Sequence, residues 1–206
     1  MRAFRIMASA TAAIAGLLLV PAGIASASTT HPAAPSVHLR GGLTRVTTAP
    51  GIAPALLESG IVPVPTWPAR EGINYHAGVV TSTFSFPVTG GRVTLKPSGY
   101  VTHAGGILFI GFSGKAAGKS LKLSRFTINL SKGDLTGIVN GNPKVRVPVF
   151  NLSLAHAKLK VGKHFVRATS IALTLTKTAA GALNATFGTK LPAGLGFGTA
   201  STTLRF

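Results

Sequence analysis

The acid–base and ligating chemistry of this 206-residue chain rests on three carboxylates, six imidazoles and two phenols; there is no cysteine. A thiol nucleophile, a disulfide frame and a cysteine-bound metal are therefore excluded. Glu58, Glu71 and Asp134 are the carboxylates. They fall in segments that read as a helix, a loop and a tight turn. Glycoside hydrolysis needs two carboxylates flanking one bond, and no such pair is placed by this pattern. Asp134, in Ser131-Lys132-Gly133-Asp134, reads as a turn former. No GxSxG elbow and no glycine-rich phosphate loop is present. We expect no catalytic residues and no enzyme. The histidines (His31, His38, His76, His103, His156 and His164) form no HExxH or HxH pair, so no metal site is expected. Two local pairs stand out: Tyr75-His76, and Tyr100 with His103 in GYVTH. A tyrosine phenolate can ligate haem iron, and a nearby imidazole can hold or deprotonate it. These four residues are the candidate ligand-binding groups.

The charge is lopsided. Twenty-one Lys and Arg stand against three acids, a net charge of +18. Charged residues are 12% of the chain and hydrophobic ones 46%, so the polar surface must come mainly from Thr, Ser, Asn and Gly. Such a field favours an anionic partner, such as a cell-wall polymer or surface. No dense basic cluster appears; Lys115, Lys119, Lys122 and Arg125 come closest. Aromatics are 7% and fall mainly as Phe within apolar runs. That is a core pattern and not a stacking platform, so no specific nucleic acid is expected as partner.

Residues 1–27 (MRAFRIMASATAAIAGLLLVPAGIASA) read as a secretory signal peptide. Arg2 and Arg5 form a positive start, an uncharged run follows, and Ala25-Ser26-Ala27 offers the small residues of a cleavage site. The apolar run is shorter than the ~20 residues that span a bilayer, and Pro21 and Gly23 interrupt it. No later stretch is long and apolar enough to be a transmembrane segment. The mature chain would carry a net charge of +16 and be secreted or extracellular, with cell-wall association as one destination. Residues 28–47 read as a flexible lead-in holding a first short strand, and residues 48–206 as a single β-rich domain.

The elements that must position the candidates are mostly strands. Residues 145–176 form the central run, in which Ile171, Leu173 and Leu175 alternate with Ala172, Thr174 and Thr176, the period of a strand with one buried face. Gly162-Lys163 breaks it where a hairpin reverses the chain. Further strands are expected at 78–88 and 92–95, joined by a turn at Thr89-Gly90-Gly91, then at 98–102, 106–112, 120–130, 135–140 and 195–206. A short helix is expected at 48–60, with Thr48 as N-cap, and another at 178–187, stopped by Gly188. Residues 61–69 carry three prolines and must run extended, with Trp67 packed over the core. Short strands punctuated by Gly and Asn indicate an all-β fold: an antiparallel β-sandwich with one or two short helices, which could also close into a barrel.

FSFPVTGG (84–91), GYVTHAGG (99–106) and SLKLSRFTINLSKGDLTGIVNG (120–141) together resemble the HtaA-like haem-transport domain of secreted and wall-attached bacterial proteins. LNATFGT (183–189) and the closing strand also resemble exported proteins of unassigned function. The resemblance implies a β-sandwich with short helices and, in some members, haem held by a tyrosine backed by a histidine. That tyrosine follows a Trp-Gly-hydrophobic motif on an N-terminal helix. The helix expected here at 48–60 has no Tyr and the motif is absent. His103 lies in the stretch matching the family's glycine-flanked histidine, and no role is transferred to it. The sequence thus leads to a basic, non-enzymatic, envelope-associated β domain without a cofactor, or to a haem or hydrophobic-ligand carrier.

Overall fold

A computed structural model of the chain describes residues 36–94 and 98–206, within one compact unit spanning Ala34–Phe206. The expected signal peptide and residues 28–35 of the lead-in lie outside the described residues. Thirteen strands and two α-helices follow in the order β1 (Ser36–His38), β2 (Gly41–Thr48), α1 (Ile52–Glu58), β3 (Ile61–Thr66), β4 (Arg70–His76), β5 (Val79–Thr94), β6 (Gly99–His103), β7 (Gly106–Gly111), β8 (Ser120–Asn129), β9 (Asp134–Val139), β10 (Arg146–Ser153), β11 (Lys158–Val161), β12 (Phe165–Leu175), α2 (Lys177–Phe187) and β13 (Gly196–Arg205).

The all-β, antiparallel expectation holds, and the open choice between sandwich and barrel is resolved by β6. Strands run β5-β2-β13-β12-β10-β9-β8 side by side, all antiparallel. β6 then pairs with β5 on one edge and with β8 on the other, which closes the ring. Closure gives each ring strand a partner on both sides over at least part of its length, which limits the edge hazard of an open sheet. Alternation along each strand sends one set of side chains inward. Phe84 and Phe86 of β5, Phe126 and Ile128 of β8, and Leu173 and Leu175 of β12 are all at most 5% exposed. The Phe86 and Phe126 rings meet edge to face with centroids 5.2 Å apart, a favoured aromatic geometry.

Several local readings are corrected. Residues 79–94 form one continuous strand, with a bulge between Val88 and Gly90 where the sequence suggests a turn. Residues 70–76, which read as loop, pair with β5 as a hairpin. β2, where a first short strand is expected, lies in the wall of the ring between β5 and β13. Thr48 ends β2, and its Oγ1 accepts from the Ser82 amide. Helix α1 therefore starts later, behind Gly51 at φ 85° and without a side-chain cap. Trp67 is not packed over the core: it is 81% exposed, with the Arg70 guanidinium 5.9 Å from its ring centroid. Helix α2 matches its expectation closely. Thr176 Oγ1 caps it by accepting from the Ala179 amide at 3.1 Å, and Gly188 at φ 73° ends it.

Candidate anion-binding cleft

The phase of apolar alternation changes within β8. Leu121 and Leu123 are buried, then Phe126 and Ile128, so the buried positions move from odd to even numbers. The chain accommodates the change with a bulge between Ser124 and Thr127. Arg125 sits in that bulge at φ 49°, a left-handed conformation uncommon for a non-glycine residue. Its amide donates to the Gly105 carbonyl at 2.9 Å. Its side chain is exposed.

Around the bulge lies a cleft of about 380 Å³. Its lining includes Thr89, Thr102, Arg125, Thr127 and Arg146, with His103 beneath. Thr102, Thr127 and Thr136 stand opposite one another across β6, β8 and β9. The Arg146 guanidinium lies over this row. One Nη1 meets the Arg125 carbonyl at 3.0 Å, Thr127 Oγ1 and Thr136 Oγ1 at 3.2 Å, and the Thr136 carbonyl at 3.4 Å. That web fixes the guanidinium although the residue is exposed. Arg125 and Arg146 both line the cleft, and its lining contains no carboxylate. An unpaired arginine attracts an anion, and an arginine fork is suited to phosphate or carboxylate oxygens.

Below the cleft, His103 is 4% exposed. Its Nδ1 lies 3.3 Å from the Phe126 carbonyl. A carbonyl only accepts, so Nδ1 carries the hydrogen. Nε2 then accepts from Thr44 Oγ1 at 2.8 Å, and Thr44 Oγ1 accepts in turn from Thr202 at 2.9 Å. Every member of this chain is buried and hydrogen-bonded, as buried polar groups require. Burial pushes the His103 pKa down from 6.5 to about 4, against a smaller raising effect of the Phe126 carbonyl bond. The imidazole is therefore neutral at pH 7, consistent with the assigned tautomer.

The four candidate residues named from the sequence are not brought together. Tyr100 and His103 lie three positions apart on β6, so they point to opposite faces; Tyr100 is 50% exposed while His103 is interior. Tyr75 and His76 are neighbours on β4 and also point apart. Both are exposed on the β4–β5 hairpin, which turns through Ala77 and Gly78 at φ 48° and 81°. Among the described residues no group of three His, Asp or Glu is placed to hold a metal. No helix among them is long and apolar enough to cross a membrane. Arg146 and the threonine row do not stand out in the sequence, because they meet only through strand register. The alternation slip in SLKLSRFTINL is the available signal for Arg125.

No family model and no curated protein matches the chain. Among solved structures, the chain is similar to the C-terminal domain of HtaA from Corynebacterium glutamicum. Identity is 16% and the TM-score 0.48, with 80% of this chain and 98% of that chain covered. A histidine-to-alanine variant of the same domain, a domain-swapped dimer, aligns at 15% identity and a TM-score of 0.46, with 76% and 93% covered. No residue role is carried over from these likenesses.

Proposed function

We propose that this chain is an exported, non-enzymatic binding domain that holds an anionic polymer at the cell envelope. The observation that carries the reading is the pairing of Arg125 and Arg146 in one carboxylate-free cleft. The net charge of +16 expected for the mature chain supports it by drawing polyanions toward the protein. The outer face of the ring adds to this. Ser201, Arg45, Ser85 and Arg70 line up across β13, β2, β5 and β4, and Arg167 donates to Thr203 alongside. Basic groups set among hydroxyls suit a hydrated, extended anionic chain better than a planar apolar one.

The test is retention of the protein on isolated bacterial cell walls across a salt series. The Debye length falls from about 10 Å at 0.1 M to about 3 Å at 1 M ionic strength. The reading requires retention at low salt and release at high salt. It also requires weaker retention of the Arg125→Gln/Arg146→Gln protein. Retention indifferent to both salt and the double substitution would overturn it, as would no retention at any salt.

A further inference from the structure

The directions of the hydroxyl hydrogens in the cleft narrow the ligand further. Thr102 Oγ1 donates its hydrogen to the Gly90 carbonyl at 3.1 Å, and Thr89 Oγ1 donates to Thr102 Oγ1 at 3.1 Å. A hydroxyl has one hydrogen and two lone pairs. Both threonine oxygens therefore present lone pairs to the cleft, and that end calls for donors on the ligand. The other end is the reverse: guanidinium N–H groups only donate. A ligand that suits the whole cleft must carry anionic oxygens at one end and hydroxyl groups at the other. A simple anion satisfies half of it, and its oxygens would face the lone pairs of Thr89 and Thr102.

The placement of the arginines also suits a phosphodiester. Arg125 comes from the β8 bulge and Arg146 from the first position of β10. With Nη1 of Arg146 engaged by Thr127, Thr136 and the Arg125 backbone, its remaining N–H groups and the guanidinium of Arg125 reach an anion from different strands. Carboxylate and phosphate can both fill a guanidinium fork, but a phosphodiester carries its charge between two substituents, so the groups flanking it can extend along the cleft toward the threonines. The cleft, at about 380 Å³, has room for the groups flanking such a phosphate.

From this arrangement we infer that the cleft takes a polyol or sugar phosphodiester, with phosphate between Arg125 and Arg146 and ligand hydroxyls donating to Thr89 and Thr102. The inference rests on the anion-binding reading of the same cleft. Two monoanionic diesters that differ chiefly in hydroxyl content test it: glycerophosphoglycerol and dimethyl phosphate. Glycerate serves as the hydroxylated carboxylate. Binding is read from amide shifts of Thr102 and Thr127 in NMR titrations at fixed ionic strength. Glycerophosphoglycerol should bind about five- to tenfold more tightly than dimethyl phosphate, the worth of one or two ligand hydrogen bonds. Thr102→Val, followed at the Thr127 amide, should erase that difference. Thr89→Val, at an exposed side chain, is the companion variant should the first fail to fold. Equal affinity for the two diesters, or glycerate matching glycerophosphoglycerol, would overturn the inference while leaving an anion site in place. No shift with any of the three probes would overturn both the inference and the anion-binding reading.

Discussion

His103 makes the stability of this domain depend on pH with a sign and size that follow from its surroundings. Its folded pKa is lowered to about 4 by burial, against 6.5 for an ordinary histidine. Between these values the unfolded chain binds a proton that the folded one does not, so stability rises with pH there. The contribution is complete above pH 6.5 and is lost as pH falls toward about 4. One pKa unit corresponds to about 1.4 kcal/mol. From pH 7.5 to 4.5 the loss is therefore roughly 2.5 kcal/mol, with the steepest part between pH 6 and 5. The chain has five other histidines and three carboxylates, so the effect is isolated by comparison with a variant that lacks only the His103 titration. The assay is urea unfolding followed by far-ultraviolet circular dichroism at half-unit pH steps. It is repeated on His103→Gln, which offers both a donor and an acceptor but does not titrate. The wild type should lose about 2.5 kcal/mol over the range, and the variant should stay nearly flat. Parallel slopes for the two proteins would show that His103 takes up its proton as readily in the folded state as in the unfolded one, and the burial of its hydrogen-bond chain would then be wrong.

Other consequences are local. Gly42 sits at φ 144°, and a Cβ there would lie 2.1 Å from the Thr203 carbonyl oxygen of the adjoining strand; Gly42→Ala should lose about 3 kcal/mol in urea melts or fail to fold. Thr176→Ala removes the acceptor for the Ala179 amide and the donor to the Pro148 carbonyl, and should lower stability by about 1–2 kcal/mol by the same measurement. Trp67, at 81% exposure, should emit at the wavelength of tryptophan in water, and Trp67→Phe should change stability by less than about 0.5 kcal/mol.

Strand periodicity made most of the wall legible. The alternation of Ile171, Leu173 and Leu175 predicts their burial, and all three are at most 5% exposed. Gly188 ends α2 as expected, while Thr176, which reads as part of the strand, turns out to cap it. Elements governed by distant partners read less well. Gly90 and Gly91 look like a turn, yet β6 pairs across them and holds β5 straight through a bulge. Thr48 looks like a helix cap, but the Ser82 amide claims its hydroxyl across the sheet. Trp67 looks like core because large apolar side chains usually are, and nothing local reports that the three-proline segment carries it outward. Tyr100 and His103 look like a pair by spacing, while strand geometry places them on opposite faces. The cleft was the least legible part. Thr102 and Thr127 are 25 positions apart in sequence and become neighbours only through β6–β8 pairing. Arg146 reaches them from a strand two places away from β8.

The most direct test of the central claim compares two proteins of equal charge. Arg125→Gln/Arg146→Gln removes the cleft cations, and Arg45→Gln/Arg70→Gln removes the same charge from the outer face of the β2–β5 wall. Each is titrated calorimetrically with a defined polyanion, a poly(glycerol phosphate) chain, at 0.15 M salt, where screening acts over about 8 Å. The cleft account predicts that the first pair weakens binding at least tenfold and the second less than threefold. Equal losses from the two pairs would contradict it, because binding would then track net charge and owe nothing to the geometry of Arg125 and Arg146.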